Sequence, residues 1–274
     1  MSMDHVVRSL VLALAAPLLL TGLTASAVAQ TAPRLSGFFT LGVLSTPEYQ
    51  GSSDRAIGPL VAARLAYGAN YVETATLSAG LALRANVSPW SGIEFGPVLG
   101  QRFGRSDVEN RRVKLLGDID DSTEAGAFIR LPFGYVFDRR DEAAIEVQYQ
   151  HDVSSTASGG LLFFGGSYRF DATERLRLRA IALATYASDS YNQTFFGVTA
   201  AGAAASGLPE YKANGGLRDL GLTLTANYEI TGGWGITGVV NYRRLLGDAA
   251  DSPIVSREGD ATQLSFGLGI SYRF

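Results

Sequence analysis

The residues that could carry out a reaction are few, and four of them lie close together near the middle of the sequence. His151 is followed by Asp152, Ser154 and Ser155. A serine or an aspartate beside a histidine can support hydrolysis, because the imidazole accepts the proton of the attacking group. Such catalysis needs hydrogen-bond distances that sequence spacing does not fix. A solvated or hydrogen-bonded histidine at the rim of a sheet is the alternative that we favour.

Two groups of carboxylates could bind a cation. Asp118, Asp120 and Asp121 share one segment, and Asp248 and Asp251 share another. Calcium prefers oxygen ligands, but neither segment has the spacing of a complete calcium-binding loop. A glycine-rich loop followed by Lys-Ser or Lys-Thr, which would bind phosphate, is also missing from the sequence. We therefore expect solvated loops and predict no cofactor and no metal.

The composition favours one large β domain or two small ones. The chain has 274 residues, of which 46% are hydrophobic and 18% are charged, with 32 glycines and a net charge of −3. No basic stripe is present, so nucleic acid is not an expected partner. The sequence contains no cysteine, which excludes disulfides, thiolate metal sites and lipidation of an N-terminal cysteine.

Residues 1–29 have the features of a cleaved signal peptide. Arg8 precedes an apolar run over residues 10–20, and the small-x-small pattern at 27–29 predicts cleavage between Ala29 and Gln30. The apolar run is about half of the ~20 residues that a transmembrane helix needs. We predict an exported domain over residues 30–274, which can span a membrane only as a β-barrel.

Residues 264–274 (LSFGLGISYRF) predict the closing strand of such a barrel. Apolar or aromatic residues occupy every second position, and small or polar residues lie between them. This alternation places the two sets on opposite faces of a strand. An apolar face toward lipid, a polar face toward the lumen and a terminal aromatic residue are typical of outer-membrane barrels. An edge strand of a soluble sandwich or of a lipocalin-like barrel is the alternative.

The connections between the alternating segments favour the barrel. Short turns alternate with long loops around 104–122, 153–159, 187–216 and 245–261, as periplasmic turns alternate with extracellular loops. Aromatic residues typical of an interfacial girdle lie near the short turns: Tyr135, Phe137, Tyr228, Trp234, Tyr272 and Phe274. A soluble sandwich explains neither regularity.

The strand count depends on residues 71–87, which are too long for one membrane-spanning strand. Both chain ends lie at the periplasmic side only if this segment holds two strands that turn near residues 78–80. The prediction is therefore an all-β, transmembrane antiparallel barrel of twelve strands, with ten as the alternative. We also expect the 187–216 loop to fold onto the barrel mouth, because Phe195, Phe196, Val198 and the alanines of 200–205 would be costly in water.

The same alternation predicts charged side chains inside the barrel. They allow two hypotheses: either they pair across a narrow polar lumen, which we favour, or the ladder Arg175, Arg177 and Arg179 gives a small pore a preference for anions. The predicted inward charges are Arg130, Arg175, Arg177, Arg179, Arg243 and Arg273, with Glu124, Glu142, Glu146 and Glu229.

Four loop segments make the chain similar to a known family. They are TPEYQGS (46–52), LGDIDDSTEAGAF (116–128), YNQTFFGVTAAGAAASGLPEY (191–211) and RLLGDAADSPIV (244–255), and the terminal SYRF fits as well. These segments, in this order, resemble the MipA/OmpV family of outer-membrane proteins. The resemblance extends over nearly all of residues 30–274 and is loose around 71–91.

The resemblance implies a non-enzymatic scaffold in the Gram-negative outer membrane. The namesake of the family is described as binding a murein-degrading lytic transglycosylase, MltA, and a bifunctional penicillin-binding protein, so both enzyme classes become candidate partners. It also implies that Tyr272 and Phe274 form the signal that barrel-insertion machinery reads, and that outer-membrane lipid surrounds the strands. A narrow solute channel and a rim-located hydrolase are the alternative functions, since a shared barrel does not fix what it does.

Overall fold

The computed structural model describes residues 34–77, 80–134 and 136–274. In this part of the chain, twelve antiparallel strands close into a barrel in which each strand pairs with its sequence neighbours and the last pairs with the first. The predicted twelve-stranded barrel is confirmed, and the alternative of ten strands is wrong. The predicted signal peptide, with its cleavage between Ala29 and Gln30, lies outside the described residues and stays a prediction.

The connections differ in length at the two ends of the barrel. We call the end with short connections the turn end and the other the loop end. In the described residues, no helix is both long enough and apolar enough to cross a membrane. The strands are β1 (Leu35–Pro47), β2 (Arg55–Tyr67), β3 (Asn70–Leu77), β4 (Gly80–Asn86), β5 (Glu94–Arg102), β6 (Ser122–Gly134), β7 (Glu142–Asp152), β8 (Gly160–Asp171), β9 (Leu176–Ala187), β10 (Gly216–Thr231), β11 (Trp234–Leu245) and β12 (Thr262–Arg273). The helices are α1 (Arg111–Lys114), α2 (Asp189–Phe196), α3 (Ala200–Ser206), α4 (Gly247–Asp251) and α5 (Pro253–Ser256), and all five lie in loop-end connections.

Residues 71–87 contain two strands, as the prediction of an even number of strands required. β3 and β4 pair in register from Tyr71 opposite Asn86 to Leu77 opposite Gly80. Each of the two strands is shorter than the 9–11 residues of a typical spanning strand. The assignment that was least certain from the sequence is therefore confirmed.

The closing strand β12 has the predicted two faces. Leu268 and Ile270 are exposed on the outside, while Gly269 and Ser271 are buried on the inside. β12 pairs with β1 from Arg273 opposite Phe38 to Phe266 opposite Ser45. This ladder is the seam that closes the barrel.

Aromatic residues cluster on the outer face at the turn end. The ring of Trp234 lies 6.2 Å from that of Phe39 and 4.8 Å from that of Tyr272, and Tyr272 also stacks on Phe274. Phe137 and Tyr228 are exposed at the same end, and Tyr135 lies outside the described residues. This arrangement matches the aromatic girdle of membrane barrels.

A two-residue turn at this end sets the register of β10 and β11. Gly232 and Gly233 have φ values of 55° and 85°, which glycine adopts without the steric cost that other residues meet. Two successive positive φ values are those of a type I′ turn, whose twist matches that of a hairpin.

Candidate functional site

The half of the lumen nearest the turn end contains an ion-pair network that crosses the barrel. Arg84 on β4 lies 2.7 Å from Glu73 on β3 and 2.7 Å from Glu146 on β7. Glu73 also pairs with Arg64 on β2, at 2.7 Å. Since β5 and β6 lie between β4 and β7, the pair between Arg84 and Glu146 connects two parts of the wall that are not adjacent. The Arg84 guanidinium also lies 4.8 Å from the ring centre of Phe128.

A second network in the same half follows four consecutive strands. Arg130 on β6 pairs with Glu94 on β5 at 2.7 Å and with Glu142 on β7. Glu142 also accepts a hydrogen bond from Arg169 on β8, at 3.1 Å. Tyr71 on β3 donates to Glu94 at 2.7 Å. Charges and hydroxyls thus satisfy one another around this part of the wall, as buried ions require.

The half of the lumen nearest the loop end contains a drier charged layer. Arg102 forms a two-fold hydrogen bond with Glu124, at 2.5 and 2.9 Å. Arg218 pairs with Asp219 at 2.6 Å. The ring of Tyr191, supplied by α2, lies 5.5 Å from the Arg102 guanidinium and 5.4 Å from that of Arg218. This geometry joins the loop above to the barrel wall through cation–π contacts.

The loops at this end pack into a cap with an apolar core of its own. Residues from four different connections meet there, and Ser252 donates to the Phe196 carbonyl at 2.6 Å. Burial raises the pKa of Tyr49 to about 12 and lowers that of the neighbouring Arg105, so Tyr49 is neutral in the cap. The core residues of the cap are Tyr49, Val108, Val113, Val198, Leu208 and Ile254.

The lumen charges are more exposed near the turn end than near the loop end. The side chain of Arg169 is 33% exposed, that of Arg84 is 7% exposed and that of Arg102 is fully buried. A cavity of about 50 Å³ lies in the middle of the lumen, beside Glu146 and Arg243, with room for about three water molecules. The lumen charges are therefore most accessible near the turns and least accessible beneath the cap.

The predicted lumen charges occupy different positions in this space. Arg130 and Glu146 belong to the networks above, Arg177 pairs with Asp171 at 2.7 Å, and Arg243 lies 3.6 Å from Asp219. Arg179 and Glu229 also occupy inward positions of their strands, and among the described residues neither forms an ion pair. The anion preference of a small pore lined by these arginines stays a prediction.

The prediction for Arg175 is wrong. β9 begins at Leu176, and Arg175 lies in the preceding turn with its side chain exposed. The hydroxyl of Thr173 accepts hydrogen bonds from the backbone N–H groups of both residues, which fixes the turn just before the strand. The arginine ladder therefore has two members inside the barrel.

Sequence reasoning missed several members of these networks. Arg84 and Glu73 lie in the segment whose strands were ambiguous. Arg218 and Asp219 are successive residues that are both buried, because the ladder between β9 and β10 shifts register between Leu217 and Asp219. Period-two alternation cannot place two successive residues on one face, so the alternation alone could not reveal this pair.

The candidate histidine and the candidate aspartate do not come together. His151 is exposed on the outer face, with its Nδ1 3.3 Å from the hydroxyl of Tyr149, whereas Asp152 is buried on the inner face. The Asp152 carboxylate accepts hydrogen bonds from the Ser154 hydroxyl and from the backbone N–H groups of Ala157 and Ser158. Successive strand residues point in opposite directions, so this histidine and this aspartate do not form a dyad.

The candidate calcium ligands instead hold loops together. The Asp121 carboxylate accepts a hydrogen bond from the Gly104 N–H at 2.9 Å, and that of Asp248 accepts one from the Asn214 N–H at 2.7 Å. Among the residues that the structure describes, no group of three or more histidines and carboxylates could hold a metal ion.

Comparison with known proteins identifies the family. The sequence profile described as "MltA-interacting protein MipA" matches residues 39–274. The chain belongs to the MipA family. The MltA-interacting proteins of Escherichia coli (strain K12) and Shigella flexneri are each 32% identical to this MipA-family chain over 87 residues, which are 32% of this chain. The match spans about a third of the length of each curated relative, 34%.

Solved structures similar to this MipA-family chain are outer-membrane barrels. The NanC porin aligns with a TM-score of 0.43 and 9% identity, covering 87% of this chain and all of the porin. An outer membrane channel from Pseudomonas putida F1 aligns with a TM-score of 0.46 and 11% identity, covering 90% and 97%. These values are too low to carry a functional conclusion. The predicted location is confirmed: the MipA-family barrel is a Gram-negative outer-membrane protein.

Proposed function

We propose that this MipA-family barrel is a non-enzymatic scaffold that holds cell-wall enzymes at the outer membrane. Its proposed partners are a murein-degrading lytic transglycosylase and, as the family resemblance implies, a penicillin-binding protein. The observation that carries the proposal is the family match over residues 39–274, because the curated relative in Escherichia coli is named for its interaction with MltA.

The surface at the turn end supports this role. In the orientation expected for outer-membrane barrels, this end faces the periplasm, where murein lies. Phe137 is 86% exposed there and Trp90 is 64% exposed, and Arg139 and Arg140 are exposed beside Phe137. Aromatic residues and arginine are the types enriched in protein interfaces. The turn end is therefore the surface on which we place the partner.

Crosslinking in intact envelopes tests the proposal. The full-length barrel is crosslinked in cells, recovered through a tag and analysed for murein enzymes by mass spectrometry, with an unrelated outer-membrane barrel of similar abundance as the control. We expect enrichment of a lytic transglycosylase over the control. Equal recovery with both barrels would remove the basis for the scaffold.

A narrow solute channel is the second candidate, and the exposed lumen charges near the turn end favour it. The cap at the loop end opposes it, because the layer of Arg102 and Glu124 is buried. Planar-bilayer recordings of the refolded chain separate the two functions. The scaffold predicts no discrete conductance steps, whereas steps that disappear in Arg177→Gln would favour a channel.

The third candidate, a rim-located hydrolase, depends on His151. The separation of His151 from Asp152 supports a non-enzymatic barrel. If the purified barrel had lipase or protease activity, the hydrolase hypothesis would require His151→Ala to abolish it. Retention of that activity by His151→Ala would remove this residue from any mechanism.

A further inference from the structure

Two arginines lie on the outer wall of the barrel at its loop end. Arg55 begins β2 and precedes the outward-facing Ile57, and Arg244 on β11 follows the outward-facing Tyr242; all four side chains are exposed. A cation on this wall is costly at the middle of the bilayer and tolerated near the interface. In the orientation expected for outer-membrane barrels, their place at the ends of the apolar rows puts both guanidinium groups at the level of lipid headgroups in the outer leaflet.

The side chain of Arg55 crosses the seam of the barrel. Gly37 and Phe274 exchange two backbone hydrogen bonds, and the ladder between β1 and β12 ends at Ser45 opposite Phe266, so that Pro47 and Leu264 each lie two residues beyond its last pair. Proline has no N–H to donate to the Leu264 carbonyl, and Arg55 Nη1 donates to that oxygen instead, at 2.9 Å. Its Nε donates to the Ser45 hydroxyl at 2.9 Å. The guanidinium is thereby fixed over β12.

Arg244 reaches the same strand from the other side. Its Nη1 donates to the Thr262 hydroxyl at 2.6 Å. Thr262 and Leu264 are two residues apart on one face of β12, a separation of about 7 Å along the strand. The two guanidinium groups therefore approach neighbouring positions of one outward row. We call them the arginine pair.

The arginine pair has no carboxylate partner among the described residues. Neither residue forms an ion pair there, and the Asp260 carboxylate instead accepts a hydrogen bond from the Thr262 N–H at 2.6 Å. Arg55 Nη2 and Arg244 Nη2 donate to no described group. Two fixed cations with unused donors, lying beside an apolar wall, form a site for an amphipathic anion.

We propose that the arginine pair binds the phosphate group of a phosphorylated lipid in the outer leaflet. Guanidinium groups match phosphate oxygens in charge and in geometry. The outward-facing Leu264, Phe266 and Leu268 continue below the pair along β12 and would contact the acyl chains of the same molecule. A phosphorylated lipid can therefore contact both the arginine pair and the apolar row of β12, whereas free phosphate can contact only the arginine pair.

Lipid binding to the refolded full-length barrel in nonionic detergent tests the proposal. The probe is lipid A with two phosphates, its comparison is the same lipid without phosphates, and native mass spectrometry measures the bound fraction over a titration. For Arg244→Gln we expect the Kd for lipid A to rise about tenfold, as for the loss of one charge-assisted hydrogen bond. Arg175→Gln, which removes an exposed arginine in the turn before β9, should leave the Kd unchanged.

Arg55→Gln tests the second member of the pair. The change in the gel mobility of this variant on heating reports whether the seam between its first and last strands still closes. Arg244→Gln leaves the hydrogen bonds of Arg55 intact and keeps the test valid if Arg55→Gln does not fold. Equal affinity of wild type and Arg244→Gln would overturn the proposal, as would equal binding of the lipid without phosphates. If inorganic phosphate bound as tightly as lipid A, the lipid would be the wrong ligand.

Discussion

Arg84 is the residue whose contacts connect the largest part of the lumen wall. It pairs with Glu73 and with Glu146 while its own side chain is 7% exposed. Taking such charges out of water is costly, and the cost is offset only when every member has a partner. A lumen filled in this way stabilises the barrel and leaves little room for solute.

Arg84→Met tests this interpretation. The substitution keeps much of the volume of the side chain but leaves Glu146 without an ion pair and Glu73 with Arg64 alone. We expect the free energy of unfolding of the refolded barrel, measured by urea titration, to fall by about 3 kcal/mol, as for a broken buried pair.

Arg140→Met is the matched control, because it breaks an exposed pair with Asp138 in the turn at 137–141. Exposed pairs contribute little to stability, so the urea midpoint of this variant should stay near that of wild type. Equal losses in the two variants would mean that the lumen network does not stabilise the fold.

For single residues, the sequence predicts on which face of a strand the side chain lies but not what it contacts. The alternation of apolar and polar residues predicted that Arg130 and Glu146 lie inside the barrel, because successive side chains of a strand point to opposite faces. The pair between Arg84 and Glu146 joins strands that are not neighbours, and its distance depends on the diameter and the curvature of the closed barrel. Arg218 was not predictable at all, since the register shift beside it interrupts the alternation.

The cap is the main part of the structure that the alternating pattern of the strands could not predict. The 187–216 loop folds onto the barrel as expected, and Phe195, Phe196 and Val198 are buried. The expectation for the alanine-rich run was wrong in part, because α3 buries Gly202 and Ser206 while most of its alanines remain exposed. A single long loop was visible in the sequence, but its packing against three other loops was not.

The cap should open when a charge enters its core. Val113 on α1 is fully buried there, so Val113→Asp would place an unpaired carboxylate among apolar side chains. We expect chymotrypsin added to intact cells to cleave after Phe195 or Phe196 in this variant and to leave wild type intact. Fragments separated by gel electrophoresis and identified by mass spectrometry provide the measurement.

Leu115→Asp is the matched control for the cap, because Leu115 follows the same helix but is 56% exposed. It should resist the protease as wild type does. If wild type were cleaved as rapidly as Val113→Asp, the loop would not be packed onto the barrel in the membrane.

The whole barrel depends on closure between its first and last strands. Eight residue pairs of the β1–β12 ladder precede the terminal pair of Gly37 and Phe274, which adds two backbone hydrogen bonds of 3.1 Å. Losing that last pair should change the stability of the finished barrel little. The proposed role of Phe274 as part of an insertion signal would instead affect how the barrel is assembled.

Deletion of Phe274 separates these two contributions. We expect a strong decrease in the amount of barrel in the outer membrane of cells, with a urea midpoint of the refolded protein close to that of wild type. Phe274→Tyr keeps an aromatic end and should assemble normally. Normal outer-membrane levels of the deletion variant would show that the terminal residue is not an assembly signal.

For the whole molecule, we propose that the barrel presents its turn end to a murein enzyme and that the cap covers its loop end. Site-specific photo-crosslinking in intact cells tests it most directly, with the crosslinking amino acid placed at Phe137 on the turn end or at Ala204 on the cap, both exposed. We predict an adduct with a lytic transglycosylase from position 137 and none from position 204. The absence of this adduct at position 137, or an equal yield at position 204, would show that the turn end is not the surface that binds the enzyme.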